Sequence, residues 1–448
     1  MAKEKSCFTC SECAYKSPKW LGRCPECGAW SSFEEEMMSK VKIHTKKNIK
    51  VYKFDEIEIS SNYRYKTNFE EFDRVLGGGL VKGEIVLITG NPGVGKSTLL
   101  LQVLSEYAKK EKTLYISGEE STEQIKYRGK RLEIINPNMY LMAETEIETI
   151  KEYILSNKPQ VVVVDSIQTI YSDQYDSLPG TVTQIRESTL KIMEIAKTYN
   201  ISFFLIGHIT KDGKVAGPKL LEHMVDAVLN FEGEEDYIYR ILRSVKNRFG
   251  STNEIGIFNM DEKGIKEVKN PSEFFLNKRD DKNIGSIIVP VLEGNKTFLL
   301  EIQALMTTTA FGIPRRVVQG LDYNRLQIIV AILEKKLSLQ LSNQDIYINV
   351  PGGITIRETS ADLAVALTII SAIKDLGISH TTAAIGELGL RGEVRKVSHL
   401  NKKLVELSKL GFKKVYLPFE NKKEIEEKKY DLKFSYLKNL GDLVERMM

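Results

Sequence analysis

The sequence predicts an α/β protein in three parts: a small cysteine-rich module, a central domain with a mainly parallel sheet, and a second α/β domain. Three observations support this prediction. All five cysteines lie in the first 27 residues, and a glycine-rich loop joins an apolar strand to a helix near residue 90. A second series of strand and helix patterns begins near residue 273. A chain of 448 residues has room for two to four domains.

The composition is that of a globular protein with real hydrophobic cores, because 42% of the residues are hydrophobic. The formal net charge is only +4, so the chain as a whole is not a polybasic nucleic-acid binder. The first ten residues are polar, and no apolar run is long enough to cross a bilayer. We expect a cytoplasmic protein in a reducing compartment, where paired cysteines favour metal over disulfide.

The N-terminal cysteines form two C-x-x-C pairs, Cys10 with Cys13 and Cys24 with Cys27. Each pair aims two thiolates at one point, and two pairs make a tetrahedral zinc site that can order a small segment. A redox site would need only one pair. Cys7 is a spare cysteine and an alternative ligand to Cys10. We therefore predict a four-cysteine zinc finger over residues 1–35, which binds either nucleic acid or protein, and a linker over residues 36–62.

The central domain, predicted over residues 63–270, begins with the segment GEIVLITGNPGVGKST. Its apolar strand, Ile85–Thr89, leads into a G-x-x-x-x-G-K-[ST] loop and then a helix, an arrangement that wraps backbone N–H groups around phosphates. Lys96 is expected to reach the outer phosphates and the Ser97 hydroxyl to bind Mg²⁺. The predicted phosphate-binding residues are Gly90, Asn91, Pro92, Gly93, Val94, Gly95, Lys96, Ser97 and Thr98.

Three further strands end in polar residues. The run VVVVD ends at Asp165, TLYISGEES carries Glu119 and Glu120, and ISFFLIGH ends at His208. In an open α/β sheet, ligands bind at the carboxyl ends of the strands. We expect Asp165 to hold Mg²⁺ through water, and Glu119, or as second choice Glu120, to polarise the attacking water. The remaining glutamate would then be a solvated cap of the next helix.

These segments resemble the RecA-like ATPases, and the stretch LRSVKNRFGS carries the signature K-N-R-F-G of their bacterial DNA-repair branch. The resemblance covers nearly the whole chain. It implies a DNA-dependent ATPase with ATP and Mg²⁺ that acts in recombinational repair. It also implies binding of single-stranded and branched DNA, branch migration, a RecA-type recombinase as partner, and a hexameric ring.

Lys246 and Arg248 of the signature occupy alternate positions at the end of an apolar strand, so both are expected to point the same way. The resemblance implies that they reach the γ-phosphate in the neighbouring subunit and neutralise charge in the transition state. The alternative is a pair of solvated cations at a strand edge. If a neighbouring subunit supplies Lys246 and Arg248 to the site, hydrolysis depends on assembly of the subunits.

Two glycine- or proline-marked loops follow Asp165 and His208. The resemblance implies that both loops line a DNA channel and that His208 senses the γ-phosphate. Lys211, Lys214 and Lys219 would then contact DNA phosphates, with ordinary loop solvation as the alternative.

The C-terminal part, predicted over residues 273–448, begins with two strands around the turn EGN. It resembles the proteolytic domain of Lon protease, in which a serine nucleophile precedes a helix and a lysine acts as base. Ser360 matches the serine, and we align Asn401 with the base, which an amide cannot replace. We therefore predict a scaffold domain without peptidase activity, in which Thr359 or Ser360 caps the helix and Asp362 completes a capping box.

Arg315 and Arg316 lie side by side in AFGIPRRVVQG. The resemblance implies a DNA-binding face here, and an ion-pair role within the ring is the alternative. Two rival functions remain for the whole chain: a Lon-like ATP-dependent protease, and a KaiC-like ring ATPase without a DNA role. Asn401 argues against the first, and the zinc module with the K-N-R-F-G signature argues against the second.

Overall fold

The computed structural model describes residues 6–10, 15–26, 28–37, 53–56, 63–207, 218–233, 239–269, 272, 282–309, 312–351 and 354–447. The chain divides into two compact units, Met1–Lys269 and Asn270–Met448. Both units mix helices with sheets, as the sequence predicted. Across the described ranges, no helix is both long enough and apolar enough to span a bilayer.

The N-terminal module contains an antiparallel sheet in the order β2-β1-β3, formed by β1 (Ser6–Cys10), β2 (Lys16–Ser17) and β3 (Phe33–Met37). Strand β3 pairs along its whole length with β1, from Cys10 opposite Phe33 to Ser6 opposite Met37. Strand β3 thus extends two residues into the predicted linker, and the boundary of the linker stays a prediction. The segment has no strand periodicity of its own, and its partner strand lies more than twenty residues away in sequence.

The central domain is built on a nine-stranded sheet in the order β14-β13-β12-β11-β6-β10-β9-β7-β8. The strands from β11 to β8 in this order are parallel, and β12, β13 and β14 extend the sheet with antiparallel pairs. The strands of this domain are β4 (Arg64–Tyr65), β5 (Leu80–Val81), β6 (Ile85–Thr89), β7 (Thr113–Ser117), β8 (Met139–Ala143), β9 (Val161–Asp165), β10 (Ser202–Ile206), β11 (Ala227–Glu232), β12 (Tyr239–Asn247), β13 (Ile255–Asp261) and β14 (Gly264–Glu267). The helices are α1 (Glu70–Val75), α2 (Lys96–Tyr107), α3 (Thr122–Arg131), α4 (Ile147–Asn157), α5 (Val182–Tyr199) and α6 (Pro218–Met224).

Helices cover both faces of the parallel strands, which explains why these strands are apolar throughout. In β6, Val86 and Ile88 join one hydrophobic cluster with residues of α2, whereas Ile85 and Leu87 join a second cluster with residues of α4 and α5. Every residue of β6, β7, β9 and β10 is buried. Burial on both faces is typical of parallel sheets, and in these four strands it leaves a charged side chain only at a strand tip, Asp165.

The second unit contains a seven-stranded sheet in the order β18-β19-β17-β16-β21-β24-β25. The predicted hairpin is confirmed, because β16 and β17 pair antiparallel around Gly294, which adopts a positive φ of 60°. The strands are β15 (Lys282–Asn283), β16 (Ser286–Glu293), β17 (Lys296–Thr308), β18 (Arg316–Gln319), β19 (Gln344–Asn349), β20 (Ile378–Ser379), β21 (Thr382–Ala384), β22 (Glu387–Leu388), β23 (Val394–Arg395), β24 (Lys414–Pro418) and β25 (Lys433–Leu437). The helices are α7 (Tyr323–Leu337), α8 (Asp362–Lys374), α9 (Leu400–Lys409) and α10 (Leu440–Met447).

Candidate functional site

The glycine-rich loop joins β6 to α2 in a conformation that only its glycines allow. Gly90 has a φ of 147°, and a Cβ atom there would lie 2.2 Å from the carbonyl oxygen of Phe231. Lys96 begins α2, and its Nζ donates to the carbonyl oxygens of Gly90 at 2.8 Å and Asn91 at 2.9 Å. The ammonium group is therefore held beneath the loop that was predicted to bind phosphate.

Burial sets the protonation behaviour of Lys96, whose exposed fraction is only 4%. Loss of hydration lowers the pKa of Lys96 to about 8, and the carboxylates of Asp165 and Glu119 oppose this effect. The structure thus brings together three of the predicted catalytic side chains, from α2, from the end of β9 and from the segment after β7.

Two hydrogen bonds tie the tips of β7 and β9 together. The phenol of Tyr115 donates to Asp165 Oδ2 at 2.5 Å, and the hydroxyl of Ser166 donates to Glu119 Oε1 at 2.6 Å. Burial raises the pKa of Tyr115 well above its usual value, and the Asp165 carboxylate raises it further. Tyr115 was not among the predicted site residues. Its only sequence signal is a polar hydroxyl inside a buried apolar strand.

The two glutamates after β7 have different surroundings. Glu120 forms an ion pair with Arg128, whose NH1 lies 2.8 Å from Oε2, whereas Glu119 is exposed and bonded to Ser166. The expectation that one of the glutamates caps the next helix is wrong, because Ser121 caps α3 in a capping box with Gln124. The geometry therefore supports Glu119 over Glu120, and the choice stays a prediction.

The two cations of the K-N-R-F-G signature are bound within their own subunit. Lys246 Nζ donates to the carbonyl oxygens of Glu222 at 2.6 Å, His223 at 3.4 Å and Val225 at 2.9 Å, around the end of α6. Arg248 NH1 donates to Asp226 Oδ1 at 3.2 Å. Burial lowers the pKa of Lys246, and the neighbouring Arg248 adds to that effect. Both side chains point to the same segment, as their alternate spacing predicted.

Several residues predicted to contact DNA or the γ-phosphate are not described. Lys211, Lys214 and the predicted sensor His208 lie outside the described residues, and the side chain of Lys219 in α6 is also not described. In the second unit Arg315 is exposed, and its backbone N–H donates to Asp345 Oδ1 at 2.8 Å.

Arg316 is engaged inside its own domain. Its guanidinium donates to the carbonyl oxygens of Leu341, at 2.8 Å, and of Gln344. A side chain that satisfies the backbone of a neighbouring turn has fewer donors left for a phosphate, and the DNA-binding role of both arginines stays a prediction.

The described part of the zinc module fits a cysteine-ligated metal. The backbone N–H of Cys10 donates to the carbonyl of Tyr15 at 2.9 Å, and that of Cys24 donates to the carbonyl of Ala29 at 2.8 Å, so both cysteines open equivalent turns. Cys10 and Cys24 are buried in one cluster with Phe33.

The remaining cysteines bear on the ligand set in different ways. The side chain of Cys7 is not described, so the choice between Cys7 and Cys10 as a zinc ligand stays a prediction. Cys13 and Cys27 lie outside the described residues, and no group of three metal-ligating side chains occurs within the described ranges.

The serine of the second unit has a lysine partner, which corrects the alignment made from sequence. Lys403 Nζ donates to Ser360 Oγ at 2.7 Å and to Glu358 Oε1 at 2.5 Å. Asn401 is exposed, and its side-chain oxygen accepts a hydrogen bond from the Tyr430 hydroxyl at 3.3 Å. The lysine matching the Lon base is Lys403, two residues further along α9, and the argument that Ser360 lacks a neighbouring base is wrong.

A helical pattern explains why Lys403 turns inwards. The buried residues of α9 are Leu400, Lys403, Leu404 and Leu407, which occupy one stripe at spacings of three and four. Burial lowers the pKa of Lys403, and Glu358 opposes this effect. A lysine on an apolar stripe is the signal in the sequence that could have identified it.

The predicted cap of α8 is also wrong. The Thr359 hydroxyl donates to Glu387 Oε2 at 2.7 Å, and no side chain caps α8, because a 3₁₀ turn at residues 359–361 leads directly into it. Asp362 instead pairs with Arg325 and accepts the backbone N–H of Leu388 at 3.0 Å. Tertiary partners therefore replace the local capping interactions.

Comparison with known proteins decides the family. The chain is 50% identical over 430 residues to the DNA repair protein RadA of Bacillus subtilis, which covers 94% of both chains. It is 47% identical over 430 residues to RadA of Halalkalibacterium halodurans, again with 94% of both chains covered. The chain belongs to the RadA family. The resemblance to the DNA-repair branch of the RecA-like ATPases is thereby confirmed.

Three family descriptions match parts of the chain. Residues 8–35 match a rubredoxin metal-binding domain, residues 65–139 a KaiC ATPase, and residues 326–448 the C-terminal proteolytic domain of Lon protease. The predicted zinc ribbon, RecA-type ATPase and Lon-like domain are therefore confirmed as components of this chain. A solved KaiC-like protein from Pyrococcus horikoshii is 20% identical, covering 46% of this chain and 98% of that chain, with a TM-score of 0.38.

Proposed function

We propose that this member of the RadA family is a DNA-dependent ATPase of recombinational repair, which binds single-stranded DNA and promotes branch migration as a hexameric ring. The observation that carries the proposal is the gathering of Lys96, Asp165 and Glu119 at one edge of a parallel sheet. It occurs in a chain half identical to DNA repair proteins along nearly its full length.

The chain's residues have distinct roles in this chemistry. The loop from Gly90 to Thr98 binds the phosphates with its backbone, and Lys96 neutralises the outer phosphates. Ser97 and Asp165 hold Mg²⁺, which when bound neutralises charge on the phosphates. Glu119 orients the attacking water, because its carboxylate is exposed at the same edge and is held by Ser166.

The neighbouring subunit is proposed to supply Lys246 and Arg248 to this site. Within one chain Lys246 already binds three backbone carbonyls and Arg248 binds Asp226. A role at the neighbour's γ-phosphate therefore requires both side chains to exchange these partners on assembly. That exchange makes hydrolysis sensitive to ring formation.

DNA is proposed to contact the loop lysines Lys211, Lys214 and Lys219, with Arg315 and Arg316 as further contacts on the second unit. His208 is proposed to link these contacts to the γ-phosphate, and the four-cysteine module to bind Zn²⁺. A RecA-type recombinase is the proposed protein partner. The cytoplasmic location expected from the sequence stays a prediction.

A peptidase is the second candidate function, and the contact between Ser360 and Lys403 favours it. We nevertheless propose that the Lon-like domain is a scaffold without peptidase activity. Ser360 is only 2% exposed, and the Lys403 side chain is fully buried and paired with Glu358. A buried hydroxyl is closed to a peptide substrate, and the pairing with Glu358 favours the ammonium form of Lys403, which accepts no proton.

The decisive experiment is an ATPase assay titrated with single-stranded DNA, with Lys96→Ala as the inactive control. We expect hydrolysis that rises with DNA and is absent in Lys96→Ala. A rate of ATP hydrolysis that does not change with DNA would favour a KaiC-like ring ATPase. ATP-driven cleavage of an unfolded protein that disappears in Ser360→Ala would favour the protease.

A further inference from the structure

Tyr115 is a buried residue of the central domain for which the reaction described above has no role. It lies in the middle of β7 with an exposed fraction of 0%, and its hydroxyl is 2.5 Å from Asp165 Oδ2. A phenol could fill this part of the core as an ordinary aromatic side chain. The position of its hydroxyl indicates more than packing.

Strand register explains how the phenol reaches the carboxylate. Strands β7 and β9 are parallel neighbours, with Tyr115 opposite Val163 and Ser117 opposite Asp165. Residues two apart on a strand lie on the same face, roughly 6.6 Å along the strand axis. The side chain of Tyr115 extends along this face as far as the strand tip. A shorter side chain would end within the core.

The other partner of the phenol fixes the direction of its hydrogen. Arg128 NH2 donates to the Tyr115 hydroxyl oxygen at 3.5 Å, and the same guanidinium binds Glu120. Because a guanidinium has no acceptor, the phenol must direct its hydrogen to Asp165. One oxygen of Asp165 is thereby held, and the other remains for the site.

We propose that Tyr115 is a positioning residue for the ATPase reaction: it fixes the carboxylate of Asp165 in the orientation that holds the divalent cation. The proposal rests on the proposed role of Asp165. Tyr115 touches neither nucleotide nor cation in this account and acts only through Asp165.

The test replaces Tyr115 by Phe, which keeps the ring and removes the hydroxyl. Tyr107→Phe is the matched control, because Tyr107 is also buried but its hydroxyl has no hydrogen-bond partner in the described part of the chain. Binding of Mn²⁺ to the full-length chain with a non-hydrolysable ATP analogue is measured by electron paramagnetic resonance. Nucleotide affinity without metal and the Mg²⁺ dependence of hydrolysis are measured beside it.

Tyr115→Phe is expected to weaken Mn²⁺ binding on the order of 10-fold, because one hydrogen bond to a charged group is lost. The Mg²⁺ concentration for half-maximal hydrolysis should rise by a similar factor. Metal-free nucleotide affinity should stay unchanged, and Tyr107→Phe should match the wild type. Wild-type Mn²⁺ binding in Tyr115→Phe, or equal losses in Tyr107→Phe, would overturn the proposal.

Asp165→Asn separates this proposal from the function on which it rests. If Asp165→Asn leaves Mn²⁺ binding intact, the role of Asp165 is wrong and the role of Tyr115 is lost with it. If Asp165→Asn weakens binding and Tyr115→Phe does not, only the role of Tyr115 is wrong. In the double variant, Tyr115→Phe should add no further loss, because its effect passes through Asp165.

Discussion

Replacing Lys403 by Ala tests whether the buried lysine of the Lon-like domain stabilises the fold or serves catalysis. The change removes an ammonium group that binds Ser360 and Glu358, and it removes the apolar stem between Leu400 and Leu404 on α9. As a scaffold residue, Lys403 should matter for stability and leave ATP hydrolysis at its own site unaffected. A catalytic lysine would instead be required for cleavage of an unfolded protein.

The expected loss of stability follows from the burial of the ion pair. Breaking a fully buried pair by removing one partner costs about 3–5 kcal/mol. Glu358 keeps 27% of its side chain exposed and retains the backbone N–H of Leu292 at 3.0 Å, so we take the lower end, about 3 kcal/mol. For a domain of this size, that lowers the melting temperature by about 6–12 °C.

Scanning calorimetry of the full-length protein measures this change. The transition of the Lon-like domain is the one that ATP does not raise, because ligand binding stabilises only the unit that binds it. Lys402→Ala is the control: its exposed Nζ donates to Asn295 Oδ1 at 3.0 Å, and its loss should change the stability by less than about 0.5 kcal/mol. The reasoning is refuted if Lys403→Ala melts like the wild type, or if the wild type cleaves an unfolded protein and Ser360→Ala does not.

Two further predictions concern the ATPase site. Lys96 has a pKa of about 8 in the free protein, below its usual value, and bound phosphates favour the ammonium form. ATP binding should therefore take up a proton near pH 8, and the affinity for ATP should fall as the pH rises above 8. Calorimetry in buffers of different ionisation enthalpy measures the proton uptake. An ATP affinity that stays constant from pH 7 to 9.5 would contradict this prediction. Lys246→Ala should retain ATP binding and lose DNA-stimulated hydrolysis, and mixing it with Lys96→Ala should restore part of the activity, because some interfaces then combine an intact loop with an intact finger. A lack of rescue at every mixing ratio would assign Lys246 to the cis contacts around α6 that the structure shows.

Local sequence determined the parts of this protein that depend on neighbouring residues. The loop before α2 needs glycines at fixed spacing, and the structure places its strand at Ile85–Thr89, as predicted. The apolar runs before Glu119, Asp165 and His208 became parallel strands, because such runs bury both faces only inside a sheet. The three-part organisation and the RadA family were likewise readable from motifs along the chain.

Tertiary structure decided which side chains meet across long distances in sequence. Ser360 and Lys403 are 43 residues apart, and Tyr115 and Asp165 are 50 residues apart. Comparison of positions along the chain matched the Lon base to Asn401. In the structure, the apolar stripe of α9 turns Lys403 inwards and Asn401 outwards. Hydrogen-bond partners depend on which strands are neighbours and which helix face is buried, and packing of the whole domain fixes both.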